Sequence, residues 1–456
     1  MKLTYSSKIG WPLLLFLSFL PLVIWMFTPY SLNQRFMRGG HLNYSLAMQA
    51  LGQALGLVGM AMFAQNLVLG ARLKSLESMF GGMNKIYIAH HILGGLSFVL
   101  LLLHPLFLVA QYLQSGAIGI KNAYTLYIAN PHCIANFTLI NPECSYLWGV
   151  VALALMIIFL VITFFVKLPY NFWKLTHKFL GLTFFFGAVH VLFIPSDVTA
   201  VRVLQYYMWF LVIIGFASVL YRTVLGSFFV VTREFVVDEI KQVNSTIIEI
   251  IMHAKDGNPM KYTPGQFIFI GFPDNKGLEE VHPFSLTSTP TKDTLSISVK
   301  GLGDYTKRLN ELASGARAVI EGPFGRMSYR YYPRKEQIWI AGGIGITPFL
   351  GMARSLNQAD GYKVDLYYSA LSLEEAAFDE ELRSIASANP NFRLIQWHGK
   401  EKGFLSADAI ASESQGVLGK EVFLCGPPGM MAALKSQFAK WKVPVANIHS
   451  EEFSMN

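Results

Sequence analysis

The sequence predicts a multi-domain membrane protein: an all-α bundle of six spanning helices, then a small antiparallel β-barrel, then an α/β domain with a parallel sheet. Three observations predict it. Of the 456 residues, 53% are hydrophobic and only 14% charged, against about 25% charged in an ordinary soluble domain. Apolar residues dominate as far as Tyr221, after which charges, turns and alternating strands take over. Short strands fill the next stretch, whereas from Gln337 strands alternate with helices, the pattern of a parallel sheet. The expected domains are therefore 1–225, 226–332 and 333–456.

Six apolar stretches lie near 11–29, 46–69, 86–113, 147–166, 177–194 and 203–221. Each approaches the roughly 20 residues that cross a hydrocarbon core of about 30 Å. The first follows Lys2 and Lys8 but has no small-residue cleavage site after it, so it reads as a span and not a signal peptide. The second holds Gln49, Gln53, Gln65 and Asn66 with Gly52, Gly56 and Gly59 between them. Small and amide side chains suit a helix packed among other helices.

Basic residues set the orientation. Arg72, Lys74, Lys85, Lys167, Lys174 and Lys178 share one side, while Arg35, Arg38, Lys121 and Arg202 lie on the other. The bias places both termini in the cytoplasm and the 114–146 loop outside, in a plasma (inner) membrane. The same bias accounts for the net charge of +8. With no basic block or basic-aromatic motif, the charge gives no support for a nucleic-acid partner. No pair of the three cysteines has C-x-x-C spacing. Cys133 and Cys144 share the outer loop, where an oxidising compartment permits a disulfide if the geometry does.

Ionisable side chains inside a span are costly and rare. The third span carries His90, His91 and His104, and the fifth carries His177 and His190. Both spans run from inside to outside. His90 and His177 therefore share an inner level, and His104 and His190 an outer one. Two level pairs point to two stacked b-type hemes, each with both axial positions filled by imidazole. Thirteen or fourteen residues rise about 20 Å, enough to separate two porphyrins. Fourteen steps from His90 to His104 return within about 40° of one face, but the thirteen from His177 to His190 miss by about 140°. The fifth span therefore needs a local irregularity, such as a π-bulge, or hemes at different azimuths.

In the soluble half, 227–237, 247–254, 262–272, 282–288, 294–309 and 320–325 read as short strands, with one helix near 304–313. QIWIAGGIGITPFLGMARSL (337–356) reads as strand, glycine-rich turn and helix. KVDLYYSA (363–370), a helix over 374–388, FRLIQWH (392–398) and EVFLCGPPGMM (421–431) follow.

Paired histidines in a six-span core, then HPFSLTS, GGIGITP and LCGPPGM in that order, resemble the ferric reductase and NADPH oxidase superfamily. The soluble half is similar to the ferredoxin–NADP reductase fold. The resemblance covers nearly the whole chain and implies heme ligation between the third and fifth spans. Its ligand motif falls on His90-His91-Ile92-Leu93-Gly94 with His90 as ligand and His91 in a basic place, and on His177-Lys178-Phe179-Leu180-Gly181. His104 and His190 complete the outer pair.

The resemblance also implies an FAD site. His282, Pro283, Phe284 and Ser285 would line the flavin ring with Thr287 and Ser288 close by. Lys300, Gly301, Tyr305 and Thr306 would belong to the pyrophosphate cradle, where glycine permits close backbone approach and a helix start favours phosphate. Gly342, Gly343, Gly345, Thr347 and Pro348 sit between a strand and a helix, as a dinucleotide phosphate turn requires. Cys425, Gly426, Pro427, Pro428 and Met430 resemble the nicotinamide-side loop. Phe453 stands where relatives place an aromatic that covers the flavin, and with Cys425 it is a candidate gate for hydride transfer. Relatives that use NADPH often place arginine just after the strand here ending Ser369-Ala370, where this chain has Leu371. Leucine cannot grip a 2′-phosphate as arginine does, which favours NADH.

The implied activity is a wire. Hydride passes from cytoplasmic NAD(P)H to FAD, and electrons then pass through the inner and outer hemes to an extracytoplasmic acceptor. The cofactors carry that chemistry, so no side-chain acid or base is needed. Ferric chelate is the favoured acceptor. Dioxygen reduced to superoxide, or a partner protein docked on the 114–146 loop, are the alternatives. Phe98 and Phe184 to Phe186 lie between the heme levels, where core packing is their plainest role.

Overall fold

The computed structural model describes residues 9–27 and 30–451. The chain forms two compact units, Met1–Val230 and Val231–Asn456. In the first, six helices are long and apolar enough to cross a membrane, which makes this an integral membrane protein. The spanning helices are Gly10–Phe27, Tyr44–Gly70, Met83–Ala110, Ser145–Phe165, the pair Tyr170–Lys178 and Leu180–Phe193, and Arg202–Val219. Asn43 caps the second span, its side-chain oxygen accepting from the Leu46 amide at 3.0 Å. Outward-facing Phe16, Ile158, Phe164 and Phe165 are exposed, as lipid-facing residues are. The bundle core is built from Trp25, Leu57, Met60, Phe63, Phe184 and Met208.

Between the third and fourth spans lies more order than a loop. Helices Gly116–Tyr127 and Pro131–Ala135 form there, the latter capped by Asn130 with Pro131 in its first turn. Cys133 and Cys144 are joined by a disulfide.

The fifth span does contain an irregularity, but it is a break and not a π-bulge. Phe179 separates the two helices, and its amide bonds Thr176 O at 3.1 Å while its carbonyl accepts from Leu182 at 2.9 Å, both steps of three residues. The sixth span extends further than expected, through a π turn at Leu220–Val224 and a helical turn at Gly226–Phe229. The first soluble strand consequently begins at Thr232, not 227.

The second unit holds two sheets. The first has six antiparallel strands: β1 (Thr232–Gln242), β2 (Ile247–Ala254), β3 (Phe267–Gly271), β4 (His282–Ser285), β5 (Thr294–Lys300) and β6 (Arg317–Phe324), in the order β4-β3-β6-β1-β2-β5. Leu286, just past β4, makes a single isolated bridge to Ile297 of β5. Alternating residues such as Ile248, Ile250, Ile268, Ile270, Leu295 and Ile297 fill its core.

The second sheet is parallel: β7 (Glu336–Gly342), β8 (Lys363–Ala370), β9 (Phe392–His398), β10 (Glu421–Cys425) and β11 (Ile448–Glu451), in the order β9-β8-β7-β10-β11. Trp339 and Phe349 pack on one face, Ile338, Tyr367 and Leu434 on the other. The order reverses between β7 and β10, and ligands of such sheets bind beyond the strand ends at that point. The sequence reading did not include β11. The helix expected over 374–388 is shorter, Asp379–Ala388.

Candidate functional site

Four histidines meet in two pairs inside the bundle. The ring centroids of His90 and His177 are 6.1 Å apart, and those of His104 and His190 6.2 Å. In each pair the planes are steeply inclined, at 61° and 67°. His91 is exposed, so of the two adjacent histidines only His90 turns inward. The break at Phe179 lets the two histidines of the fifth span face their partners without sharing one helical face.

Three of the rings are anchored by main-chain carbonyls. His90 Nδ1 lies 3.1 Å from Asn66 O, His104 Nδ1 2.7 Å from Gly52 O, and His190 Nδ1 2.8 Å from Ser145 O. A carbonyl only accepts, so Nδ1 must donate and Nε2 keeps its lone pair. His177 Nδ1 is buried and makes no hydrogen bond among the described residues. Its ring stacks on Trp173 at 5.4 Å.

Glycines make room for the outer pair. A Cβ at Gly56 would stand 2.7 Å from His104 Nδ1, and one at Gly149 the same distance from His190 Nδ1. Gly52 and Gly59 are likewise filled by Leu108 and Leu101, so the glycines noted in the second span are its seam with the third. His104 and His190 themselves line a cavity of about 940 Å³, together with Tyr127, Tyr146, Trp25 and Asp197. None of the described residues lining it is lysine or arginine. Arg35, read from sequence only as an outer-loop charge, is in fact buried and pairs with Asp197 at 2.5 Å, while Trp25 Nε1 donates to the same carboxylate oxygen at 2.9 Å. Among the described residues, no group of three or more His, Cys, Asp or Glu is arranged to hold a bare metal ion.

The motifs of the soluble unit gather around β4 and the sheet reversal. His282, Pro283, Phe284 and Ser285 form β4. The His282 ring lies 3.9 Å from that of Tyr305, whose hydroxyl donates to Glu280 O at 3.1 Å. Burial, then the Glu280 carboxylate, pushes the Tyr305 phenol up, so it stays protonated. The Ser285 hydroxyl is buried with no hydrogen-bond partner among the described residues. Thr287 is turned inward, bonded to Glu249 at 3.1 Å and Ser296 at 2.8 Å, and Ser288 bonds Tyr262 at 2.7 Å. Lys300 ends β5, and the Gly301 amide donates to Thr246 O at 2.9 Å. The Thr306 hydroxyl accepts from the Leu302 and Gly303 amides at 3.0 Å each, capping the short helix Asp304–Arg308.

Gly342 ends β7, Gly343 adopts a left-handed φ of 54°, and Thr347 and Pro348 open the helix Thr347–Arg354. A Cβ at Gly345 would lie 2.3 Å from Cys425 O, so the turn after β7 and the loop after β10 interlock backbone to backbone. Pro427 and Met430 crowd the Cα of Gly342, and Gly426 approaches it within 3.0 Å measured from an added Cβ. Pro428 starts the following helix. Cys425 is fully buried, and burial, then the nearby Glu451 carboxylate, raises its thiol well above the ordinary range. Glu451 faces Cys425 across β10 and β11, and an added Cβ at Gly325 would come within 2.8 Å of its Oε1. The sequence reading missed Glu451 because its strand is short and near the chain end. Phe453 lies outside the described residues.

Residues 55–188 match the family described as ferric reductase like transmembrane component, 233–338 the FAD-binding domain, and 339–436 the oxidoreductase NAD-binding domain. The ferredoxin reductase component of 3-ketosteroid-9-alpha-monooxygenase from Mycobacterium tuberculosis is 28% identical over 230 residues, 48% of this chain and 63% of that protein. NADPH oxidase 3 of Rattus norvegicus is 34% identical over 135 residues, 27% of this chain and 23% of that one. The chain thus spans under two thirds of the length of each of these relatives. The flavohem-like FAD/NAD binding domain of a Vibrio cholerae nitric oxide dioxygenase covers 48% of this chain and 98% of its own, at 23% identity and a TM-score of 0.43. Fused in one chain, a ferric reductase-like membrane component, an FAD-binding domain and an NAD-binding domain of oxidoreductase type match the architecture of the ferric reductase and NADPH oxidase superfamily.

Proposed function

We propose that this protein carries electrons across the membrane, from cytoplasmic NAD(P)H through FAD and two stacked b-type hemes to an extracytoplasmic acceptor. When bound, FAD would accept a hydride from NAD(P)H and pass its electrons on singly, and hemes held by the imidazole pairs would relay them. The spacing of the histidine pairs carries this reading. An iron about 2 Å from each of two imidazole nitrogens, with about 1 Å more to each ring centre, sets the centroids about 6 Å apart. The pairs lie at 6.1 and 6.2 Å. Histidines that bind metal also tend to give their other N–H to a carbonyl or carboxylate, as three of these do. His90 and His177 would hold the inner heme, His104 and His190 the outer.

In the soluble unit, the unpartnered Ser285 hydroxyl fits a flavin ring atom, and His282 with Tyr305 forms a flat aromatic edge beside it. The interlocked turns at Gly345 and Cys425 fit a dinucleotide laid over the sheet reversal, its phosphates at the start of helix 347–354. Leu371 is exposed after β8, which favours NADH. We place the domain limits near 225 and 332. The basic bias and the outer disulfide support cytoplasmic termini.

Ferric chelate remains the first reading of the acceptor. Dioxygen reduced to superoxide is the second reading. The test is purified protein supplied with NADH, first anaerobically with ferric citrate, then with oxygen alone. Iron reduction that outpaces superoxide formation supports the first reading, the reverse order supports the second, and neither product points to a dedicated partner protein. Reduced-minus-oxidised spectra without a low-spin b-type signal would remove the heme assignment.

A further inference from the structure

Helix 347–354 begins at the dinucleotide turn and ends on the flavin strand. At its far end Arg354 holds three groups. Nη1 donates to Glu249 Oε1 at 2.7 Å and to Thr287 O at 2.9 Å, while Nε and Nη2 grip the Glu381 carboxylate at 2.6 and 2.8 Å. Glu249 lies on β2 of the antiparallel sheet, with its side chain 7% exposed. Its Oε1 also accepts from the Thr287 and Ser296 hydroxyls at 3.1 and 3.0 Å. Three residues before Arg354 the helix touches the same strand again. A Cβ at Gly351 would sit 2.4 Å from Leu286 O, so the helix backbone rests on that carbonyl.

Leu286 and Thr287 directly follow Ser285, whose hydroxyl is the buried unpartnered group of the flavin strand. The strand is held from its other side by Leu286 N on Gln266 O at 2.9 Å and Thr287 N on Ser296 O at 2.8 Å. One rigid helix of about two turns therefore fixes the dinucleotide turn at one end and the strand beside the flavin at the other. We infer that Arg354, braced by Glu249, is a positioning residue that sets the distance between nicotinamide and flavin for hydride transfer. This rests on β4 being the flavin strand and Gly342–Pro348 the dinucleotide turn.

Arg354→Lys keeps the charge but loses the fork that reaches both carboxylates and Thr287 O. Glu249→Gln loosens the same joint from the flavin side. Glu381→Gln breaks only a bond within the nucleotide-binding domain. The experiment uses full-length protein in detergent and follows flavin absorbance in single-turnover mixing with NADH. Arg354→Lys and Glu249→Gln are expected to lower the limiting reduction rate about tenfold to a hundredfold, with flavin content and the NADH half-saturation concentration within about twofold of wild type. Glu381→Gln is expected to stay near the wild-type rate. If the two variants only shed flavin, and the flavin that remains is reduced at the wild-type rate, Arg354 is a structural brace and the inference falls. If wild-type protein holds FAD but neither NADH nor NADPH reduces it, the underlying reading falls and this one with it.

Discussion

At the scale of single residues, Cys425 and Glu249 make opposite statements about charge. The Cys425 thiol is raised by burial and by Glu451, so it stays protonated at neutral pH. Iodoacetamide at pH 8 should label Cys425 only after unfolding, read by mass spectrometry. Labelling of native protein would mean that the thiol is open and ionised. For Glu249, burial pushes its pKa up, but Arg354, Ser296 and Thr287 together outweigh burial and leave it lowered. A depressed carboxylate stabilises the fold above its unfolded pKa of about 4.3, and that contribution is lost as pH falls through the lower folded value. Thermal melts of wild type and Glu249→Gln should therefore converge on acidification below about pH 4. Leu371 was legible as a departure from NADPH-binding relatives. Its neighbour Lys400, whose amide donates to Leu371 O at 3.2 Å, was not, because it sits in the helical turn Gly399–Lys402 beyond the next strand. Leu371→Arg should raise the NADPH-to-NADH rate ratio about tenfold, and an unchanged ratio would move the 2′-phosphate site elsewhere.

At the scale of elements, the histidine spans show what periodicity can and cannot carry. Helix geometry together with the family pattern selected His90 over His91, and in the fold His91 is exposed while His90 turns inward. The same arithmetic required either an irregularity between His177 and His190, for which a π-bulge was the example, or hemes at different azimuths. The break at Phe179 depends on how the span packs, which no local pattern encodes. The glycines of the second span were legible as packing residues, but Gly149 was not singled out, since its contact is with a ring distant in sequence. Gly56→Leu and Gly149→Val should each displace an outer histidine ring. If each histidine pair holds one bis-imidazole heme, as proposed, heme per FAD by pyridine hemochromogen and flavin fluorescence should then fall from about two to one. Retention of both hemes would separate those histidines from iron. The 114–146 segment was read as a loop because its helices are short and its apolar residues lack a helical face long enough to count.

At the scale of the whole molecule, composition and motif order were enough for the sequence of parts: six spans, an antiparallel sheet, a parallel sheet. What sequence missed were contacts between distant segments, such as Arg35 with Asp197 and Trp25, or Cys425 with Glu451. A polar residue at a span end gives no sign of its partner until the chain folds. If the termini are cytoplasmic, a reporter that is active only in the cytoplasm should work when fused at the C-terminus. Alkaline phosphatase fused after Lys121 should be active only if the 114–146 segment is outside. Activity of the first with silence of the second would leave that segment inside and overturn the topology.

The carbonyl anchors of the histidine rings have one further consequence, for inherited variation. Asn66, Gly52 and Ser145 contribute main-chain oxygens and not side chains. Any amino acid at those positions still carries the same oxygen. A point mutation can replace a histidine, but it cannot delete its anchor; it can only shift the helix that bears it. The orientation of the rings is thus shielded from most single-codon changes, and damaging alleles should collect at the histidines themselves and at the glycines against them.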